Sequence, residues 1–450
     1  MLKKRIKSLI AVITIFAFVF AGTACGGKSQ ADTSGTAKDT SKVTDDSGEP
    51  ITLSIAWWGG DDRHNATLKA IELYEELNPN ITIEAFYQGF GGFYDQFVTR
   101  LAGKEEWDII QNDVQWLHEL TTRFDSFVDL YEYGDIIDFD LFDESAMAAC
   151  VVDGRLTAIP VSGNSLMLIV NEDFMNQQKI LVDNWTWDDI LEQGKKLHES
   201  NTDYFLLNLP PNVIVDGLMQ TYIKQQTGLP LILDDYTLGF DVKDAEGFLT
   251  YLTKMLDYGV IQSFEESALF NFLVATNPAW LEGRIFASPN LGSQMSALSG
   301  HDFELTTQRY PIAANAVDPG LMVRPGNLFS VSNNSAHQEE AVKFVNWMLT
   351  DHDGIVALSD QRGVPATELA RDILISEGKI SEALVAGHVE AVDHAAKIAD
   401  GYLNTNARVR DALLNTVESV GYGVITPEEG AIQLVQELET ILAELRAAGE

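Results

Sequence analysis

Residues 51–58 (Ile-Thr-Leu-Ser-Ile-Ala-Trp-Trp) form an apolar run rich in β-branched and aromatic side chains, bounded by Pro50 and by Gly59-Gly60-Asp61-Asp62. Such a run predicts a buried strand. Between 64 and 78, Ala66, Leu68, Ala70, Ile71, Leu73, Tyr74 and Leu77 recur at helical spacing, and Asn78-Pro79-Asn80 ends the segment. Residues 81–87 alternate like a strand, 93–102 are amphipathic at the helical period, and 107–110 make a further short apolar run. Strand, helix, strand, helix, strand predicts an α/β layered fold with a mainly parallel sheet.

Further on, a Pro-broken stretch from Gly154 leads to a strong strand at 166–170, and 328–331 is strand-like. Helices are predicted at 186–198, opened by Thr186 with Asp188 and Asp189 in the first turn, and at 335–349, opened by Ser335. Others are predicted at 380–399 and 408–419, and after Thr426-Pro427-Glu428-Glu429, a capping residue followed by Pro at the first helical position. No internal repeat occurs.

The first 50 residues follow a different pattern. Lys3, Lys4, Arg5 and Lys7 precede an apolar run at 9–21, then Gly22, Thr23, Ala24 and Cys25. The run is shorter than the roughly 20 residues of a membrane-spanning helix, and the pattern is that of a secretory signal peptide over 1–24. Small residues before Cys25 resemble the bacterial lipobox, with Gly22 where an aliphatic residue is usual. The resemblance implies a lipidated, palmitate-bearing Cys25 at the start of the mature chain. Residues 26–49 hold one sizeable aliphatic side chain, Val43, so 25–50 is expected to be a lipidated Cys and a flexible tether. The expected location is the extracellular face of a bacterial cell membrane.

Composition narrows the function. The 450 residues carry 30 Lys+Arg against 67 Asp+Glu, a formal charge of -37. Such a surface repels phosphate backbones, which argues against nucleic acid as a partner. Two cysteines, Cys25 and Cys150, exclude a disulfide framework and a Cys/His zinc site, and no metal or other cofactor is expected. There is no GxSxG elbow, HExxH motif or GxxxxGK[ST] loop. The acidic segment 138–144 lacks the glycine of a calcium loop, and Asp351-x-Asp353-Gly354 terminates a helix.

Seven segments, in order, resemble bacterial extracellular solute-binding proteins of family 1, the carbohydrate receptors of ABC importers. They are ITLSIAWWGGDDRH, FYDQFVTRLAGKEEWDII (with Trp107 in place of the usual Pro), GRLTAIPVSGNSLMLIVNEDFM, WTWDDI, WLEGRIFA, SVSNNSAHQEEAVKFVNWMLTD and GVPA. The resemblance covers essentially all of 51–450. It implies an α/β, two-lobed periplasmic-binding-protein-like fold of type II. Each lobe is a mixed sheet flanked by helices, and the ligand cleft lies at the hinge. Matching segments place lobe 1 at 51–162 plus 325–370 and lobe 2 at 163–324 plus 371–450. The implied function is capture of a sugar, expected to be an oligosaccharide, by interlobe closure and delivery to ABC permease transmembrane subunits. The implied protein is a monomer and not an enzyme. The alternatives are an exported glycoside-active enzyme, or the same fold receiving a non-sugar solute.

A saccharide offers hydroxyl pairs and flat C–H faces, so its site needs planar polar groups and aromatic rings. The loop Trp57 to His64 holds both, at a strand's carboxyl end where open α/β sheets bind ligands. Strand alternation directs either Trp57 or Trp58 inward. The resemblance implies ligand contact for Trp58, Asp61, Asp62, Arg63 and His64; the last two depart from the maltose-type pattern and are of a type that reads a uronic carboxylate. It also implies Gln88, Asn112, Asp113, Asn164 at the crossover, Asn212, Asn290 and Gln294, and Tyr402 in the region of a late stacking aromatic. Trp116 and Trp280 are expected in the core.

Overall fold

The computed structural model describes residues 49–182, 184–299 and 301–448; the expected signal peptide, Cys25 and nearly all of the tether lie outside them. The predicted opening alternation is present. Strands β1 (Ile51–Trp58), β2 (Ile81–Gln88) and β3 (Ile109–Asn112) pair in parallel in the order β2-β1-β3, linked by helices α1 (Asp61–Leu77) and α2 (Phe93–Gly103). Helix α3 (Val114–Phe124) leaves β3 directly, capped by the Asp113 carboxylate, which accepts from the Gln115 N–H. A small hairpin of β4 (Val151–Val152) and β5 (Arg155–Leu156) follows.

The sheet is mixed rather than mainly parallel. β6 (Ile159–Asn171) runs antiparallel to β10 (Val323–Val331), and β10 runs antiparallel to β3. Beyond, β6 pairs with β8 (Ile285–Leu291) and β9 (Leu305–Gln308), and β7 (Phe205–Leu207) lies parallel to β8. The short β11 (Val364–Pro365) also pairs with β6, at Gly163 and Ser162. The sequence places a break before residue 166, yet β6 runs unbroken through Pro160. The reason lies in the partner: the register shifts between Asn327 and Leu328, opposite Ser162 and Pro160. A bulge is where a missing N–H is tolerated in a sheet.

Two hydrophobic cores lie on either side of this crossing, and a third, with Met167, Ile169, Trp280, Ile355, Leu374 and Leu384, joins β6 to the helices that follow β10. Of the flanking two, one gathers Leu53, Trp57, Phe97, Ile110, Phe329 and Phe344; the other gathers Leu168, Trp187, Phe248, Phe286, Leu413 and Leu438. β6 contributes to both, with Ile159 in the first and Leu166, Leu168 and Val170 in the second. Leu328 stands opposite Pro160 and Asn112, whereas Leu166 stands opposite Leu291 at the end of β8. Six residues of β6 therefore separate the end of β3 from the end of β8, a span of about 20 Å. Over that span the chain is bridged by β6, β10 and the start of β11.

A helix, Glu382–Asp393, backs the bridge. Its Gly387 admits Thr307 and Met167, because a Cβ there would meet the Thr307 Oγ1 at 2.5 Å. Its His388 fills the space that a side chain on Gly163 would take, 2.4 Å from the ring, and Nδ1 lies 3.0 Å from the Ser165 hydroxyl. The helix is shorter than the 380–399 pattern suggests: past His394 the backbone turns to bond with Leu321. The helix expected from Ser335 begins instead at Gln338, because Ser335 donates to Asp108 at 2.6 Å. The Thr186 and Thr426 caps form as predicted, each with a reciprocal side chain three residues on. No helix among the described residues is long and apolar enough to cross a membrane.

Two predictions follow from this packing. Lys224 donates to Asp400 at 2.6 Å, with the lysine side chain 3% exposed. Asp400→Asn leaves a buried ammonium uncompensated and is expected to cost about 3 kcal/mol in urea unfolding. His388 is buried, and that burial, with the nearby Arg371 outweighing Asp143, lowers its pKa from 6.5 to about 4. Between those values the unfolded chain takes up a proton that the folded chain refuses, so stability falls on acidification. The difference amounts to ~3 kcal/mol. Denaturation of His388→Gln across that range is expected to show a correspondingly shallower loss.

Candidate functional site

The carboxyl ends of β1, β2 and β3 on one side, and of β7 and β8 on the other, face the bridge. The residues singled out in the sequence lie in the first turn of α1, at the ends of β1, β2, β3 and β8, on β6 and in short helical turns, and their side chains serve different ends.

In the first half, β1 ends in two buried tryptophans, not one inward and one outward. Trp57 is fully buried, and its Nε1 donates to His64 Nδ1 at 3.0 Å. Trp58 is 6% exposed and packs at 5.0 Å from Trp116, 5.2 Å from Phe93 and 5.8 Å from Phe90. Its ring is therefore the base of an aromatic group rather than its surface. Phe90 is that surface: it is 59% exposed and stacks on Trp116 at 5.7 Å with 21° between the planes. Tyr94 closes the group at 5.0 Å from Trp116, its hydroxyl donating to Glu119. Trp116, expected in the core, is half-buried within this group. Phe90 and Tyr94 were not singled out from sequence. The available signal was Gln88-Gly89-Phe90-Gly91-Gly92, a lone aromatic among glycines at a strand's carboxyl end. Gly92, at φ +80°, makes the turn into α2.

Asp61 and Asp62 are exposed in the first turn of α1, where the N-cap Gly60 supplies no side-chain bond. Arg63 turns inward. Its Nε donates to the Gln361 carbonyl at 3.0 Å, and Nη1 to the Trp58 carbonyl at 3.1 Å and Asn327 Oδ1 at 3.3 Å. Burial lowers its pKa. His64 sits between Trp57 and Tyr87, 4.6 Å from the latter ring. Desolvation lowers its pKa, and Arg63 and Arg362 push the same way against Asp61. With Nδ1 accepting from Trp57, the neutral ring offers an Nε2–H as a donor. Gln88 is half-buried at the end of β2, its carbonyl accepting from Gly59.

Asn112 departs from expectation: it is fully buried, bonding Ser330 and the Asp113 N–H. Asp113 is half-buried; desolvation raises its pKa, offset in part by the Gln115 N–H and by the field of Arg324. Beneath these residues lies Arg362, 6% exposed. It donates to Gln111 Oε1 and to Thr67 Oγ1, each at 2.9 Å.

On the bridge, Asn164 and Ser293 bond reciprocally at 3.1 and 3.3 Å, tying β6 to the loop after β8. In the second half, Asn290 accepts from the Leu291 N–H, and Gln294 is exposed. Asn212 Oδ1 is buried without a partner among the described residues, just before the π-helical turn Ile214–Met219. Such turns are frequent at functional sites. Tyr402 opens the short turn Tyr402–Thr405; its side chain lies outside what the structure describes. Trp280 is fully buried, donating to the Leu298 carbonyl.

Strand ends from both halves thus converge on the bridge, with an aromatic ridge and planar polar groups on the first side. Solved structures share the fold. A periplasmic solute-binding protein from Pectobacterium atrosepticum is 26% identical, with 87% of this chain and 99% of that one covered at a TM-score of 0.76. A periplasmic oligogalacturonide-binding protein from Yersinia enterocolitica, in complex with saturated digalacturonic acid, is 25% identical over 87% and 99% at 0.72. A family 1 extracellular solute-binding protein from Alicyclobacillus acidocaldarius, 23% identical over 88% and 100% at 0.75, has the same fold. Residues 60–354 match the profile of the bacterial extracellular solute-binding proteins. With two thirds of its length matched, the chain belongs to that family.

Proposed function

We propose that this chain is the extracellular receptor of an ABC importer, capturing a saccharide in the gap between its two halves. The observation that carries this reading is the Phe90–Trp116–Trp58 ridge at the strand ends, with Gln88 and Asp113 at the same strand ends. An exposed ring braced by a second ring suits the C–H face of a sugar, and neighbouring amide and carboxylate groups suit its hydroxyls. The likeness to a receptor crystallised with digalacturonic acid supports a saccharide ligand. The two halves act as lobes with boundaries near residues 162, 324 and 370. Bending of the bridge closes them, and the solute stabilises the closed form because both halves touch it there. Closure then presents a lobe surface to the permease.

The reading is of binding without turnover. Asp113 caps α3, Glu119 accepts from Tyr94, and Asp61 and Asp62 are solvated, so each of these carboxylates already has a structural partner or lies in water. Export and anchoring follow from the N-terminal pattern: Cys25 carries the lipid and residues 26–49 span from the membrane to the body.

Calorimetry across a saccharide panel, with chromatography of the sugar afterwards, tests receptor against enzyme. Binding with the sugar recovered intact is expected; hydrolysis would overturn the receptor reading. Phe90→Ala is expected to weaken the best ligand about tenfold while leaving the melting temperature nearly unchanged, since the ring is largely in water. Cys25→Ser is expected to move the protein from the membrane fraction to the medium and abolish its labelling with radioactive palmitate.

A further inference from the structure

Six arginines of the described residues hold a carboxylate: Arg123, Arg155, Arg284, Arg371, Arg408 and Arg410. Of the six described arginines that hold none, Arg63, Arg324 and Arg362 stand together at the bridge. Arg63 donates to two carbonyls and an amide oxygen, and Arg362 to an amide oxygen and a hydroxyl. All five acceptors are neutral. Arg362 Nη1 is buried and has no acceptor at all. Arg362 is pushed well below its ordinary pKa by burial and by the charge of Arg63, which places the two cations within each other's field. Burying a guanidinium without a counter-charge is costly, and two together more so.

Arg324 is the third arginine of the bridge. It stands on β10 opposite Asn164, within the bridge, and is half-buried. Its side chain makes no hydrogen bond or ion pair among the described residues. Asp113 feels its charge, but the Asp113 carboxylate already caps α3. Alternation fixes which way Arg324 faces. Ser165 meets His388 on the backing helix, so its neighbour Asn164 and the paired Arg324 face away from that helix, into the gap. β10 thus holds a guanidinium fork without a protein hydrogen bond on the face turned away from the helix Glu382–Asp393. Three arginines without a carboxylate partner thus stand at the bridge of a chain of formal charge -37, with Asp113 the acid that feels Arg324. Low-dielectric walls strengthen such a field, whereas the exposed Asp61 and Asp62 are screened by water.

We propose that the solute is a saccharide bearing a carboxylate, a uronic-acid oligosaccharide, with Arg324 gripping the carboxylate through its two-pronged fork. The proposal rests on the saccharide-receptor reading above. It moves the acid-reading role from Arg63 and His64, which the sequence pointed to, onto Arg324. Arg63 is held by protein oxygens, and His64 is a neutral donor. Fork-on-carboxylate pairing is the strong, directional form of this contact.

Calorimetry on the purified full chain tests it with digalacturonic acid, its methyl ester and a neutral disaccharide of matched size. The acid is expected to bind at least tenfold more tightly than its ester, with an affinity that falls as salt rises. Arg324→Gln is expected to erase that preference at an unchanged melting temperature, and Arg324→Lys to restore part of it. Equal binding of acid and ester, or a preference that survives Arg324→Gln, would overturn the carboxylate inference and leave the receptor reading intact. Binding of no saccharide in any form would strike the receptor reading itself.

Discussion

The bridge of β6 and β10 is the constraint on which the rest depends. Two strands cross from one hydrophobic core to the other, and over about six residues they carry no neighbouring sheet on their outer side except the start of β11. A strand pair of that length bends more readily than either packed half. The strand ends of both halves are turned toward this pair. The bridge also explains its own composition. Gly326 sits at a bulge where a Cβ would lie 2.9 Å from the Ser162 hydroxyl, and Gly163 yields its side-chain space to His388. Both glycines permit close approach at the place where the chain crosses.

The same crossing organises the charge. Fixed cations are buried where the halves meet, whereas carboxylates dominate the solvated surface. Arg362 lies against the Phe329 ring, 5.4 Å from its centroid, so packing holds the cation in place even though no acid does. Gln111 and Asn327 link Arg362 and Arg63 to the Trp58 carbonyl. The floor under the aromatic ridge is thus one hydrogen-bonded unit.

Much of the fold was legible because it is local. The apolar run at 51–58, the helical period to Leu77 and the capping pairs at Thr186 and Thr426 each specify their element from neighbouring residues alone. The order of motifs then identified the family. What failed was non-local. The unbroken β6 needed a bulge in a strand more than 160 residues away to accommodate Pro160. Ser335 reads as a cap until Asp108, from β3's approach, takes its hydroxyl. Asn112 has the residue type and place of a ligand contact, but Ser330 on β10 claims it. Arg63 reads as a loop cation, but the oxygens that hold it belong to Asn327 and Gln361.

The site residue that sequence reading passed over shows where the limit lies. Arg324 sits in a stretch, Met322-Val323-Arg324-Pro325-Gly326, with neither strand alternation nor any motif to mark it. Its role depends on three facts from distant parts of the chain: β6 supplies Asn164 opposite, the helix Glu382–Asp393 covers the far face, and Asp113 is already engaged with α3. Remove any one, and Arg324 is an ordinary half-exposed strand arginine. Taken together, they leave a donor fork with a fixed direction and no partner. A binding site in this protein is therefore better found by following which polar groups the fold leaves unanswered than by matching residue types at loop positions.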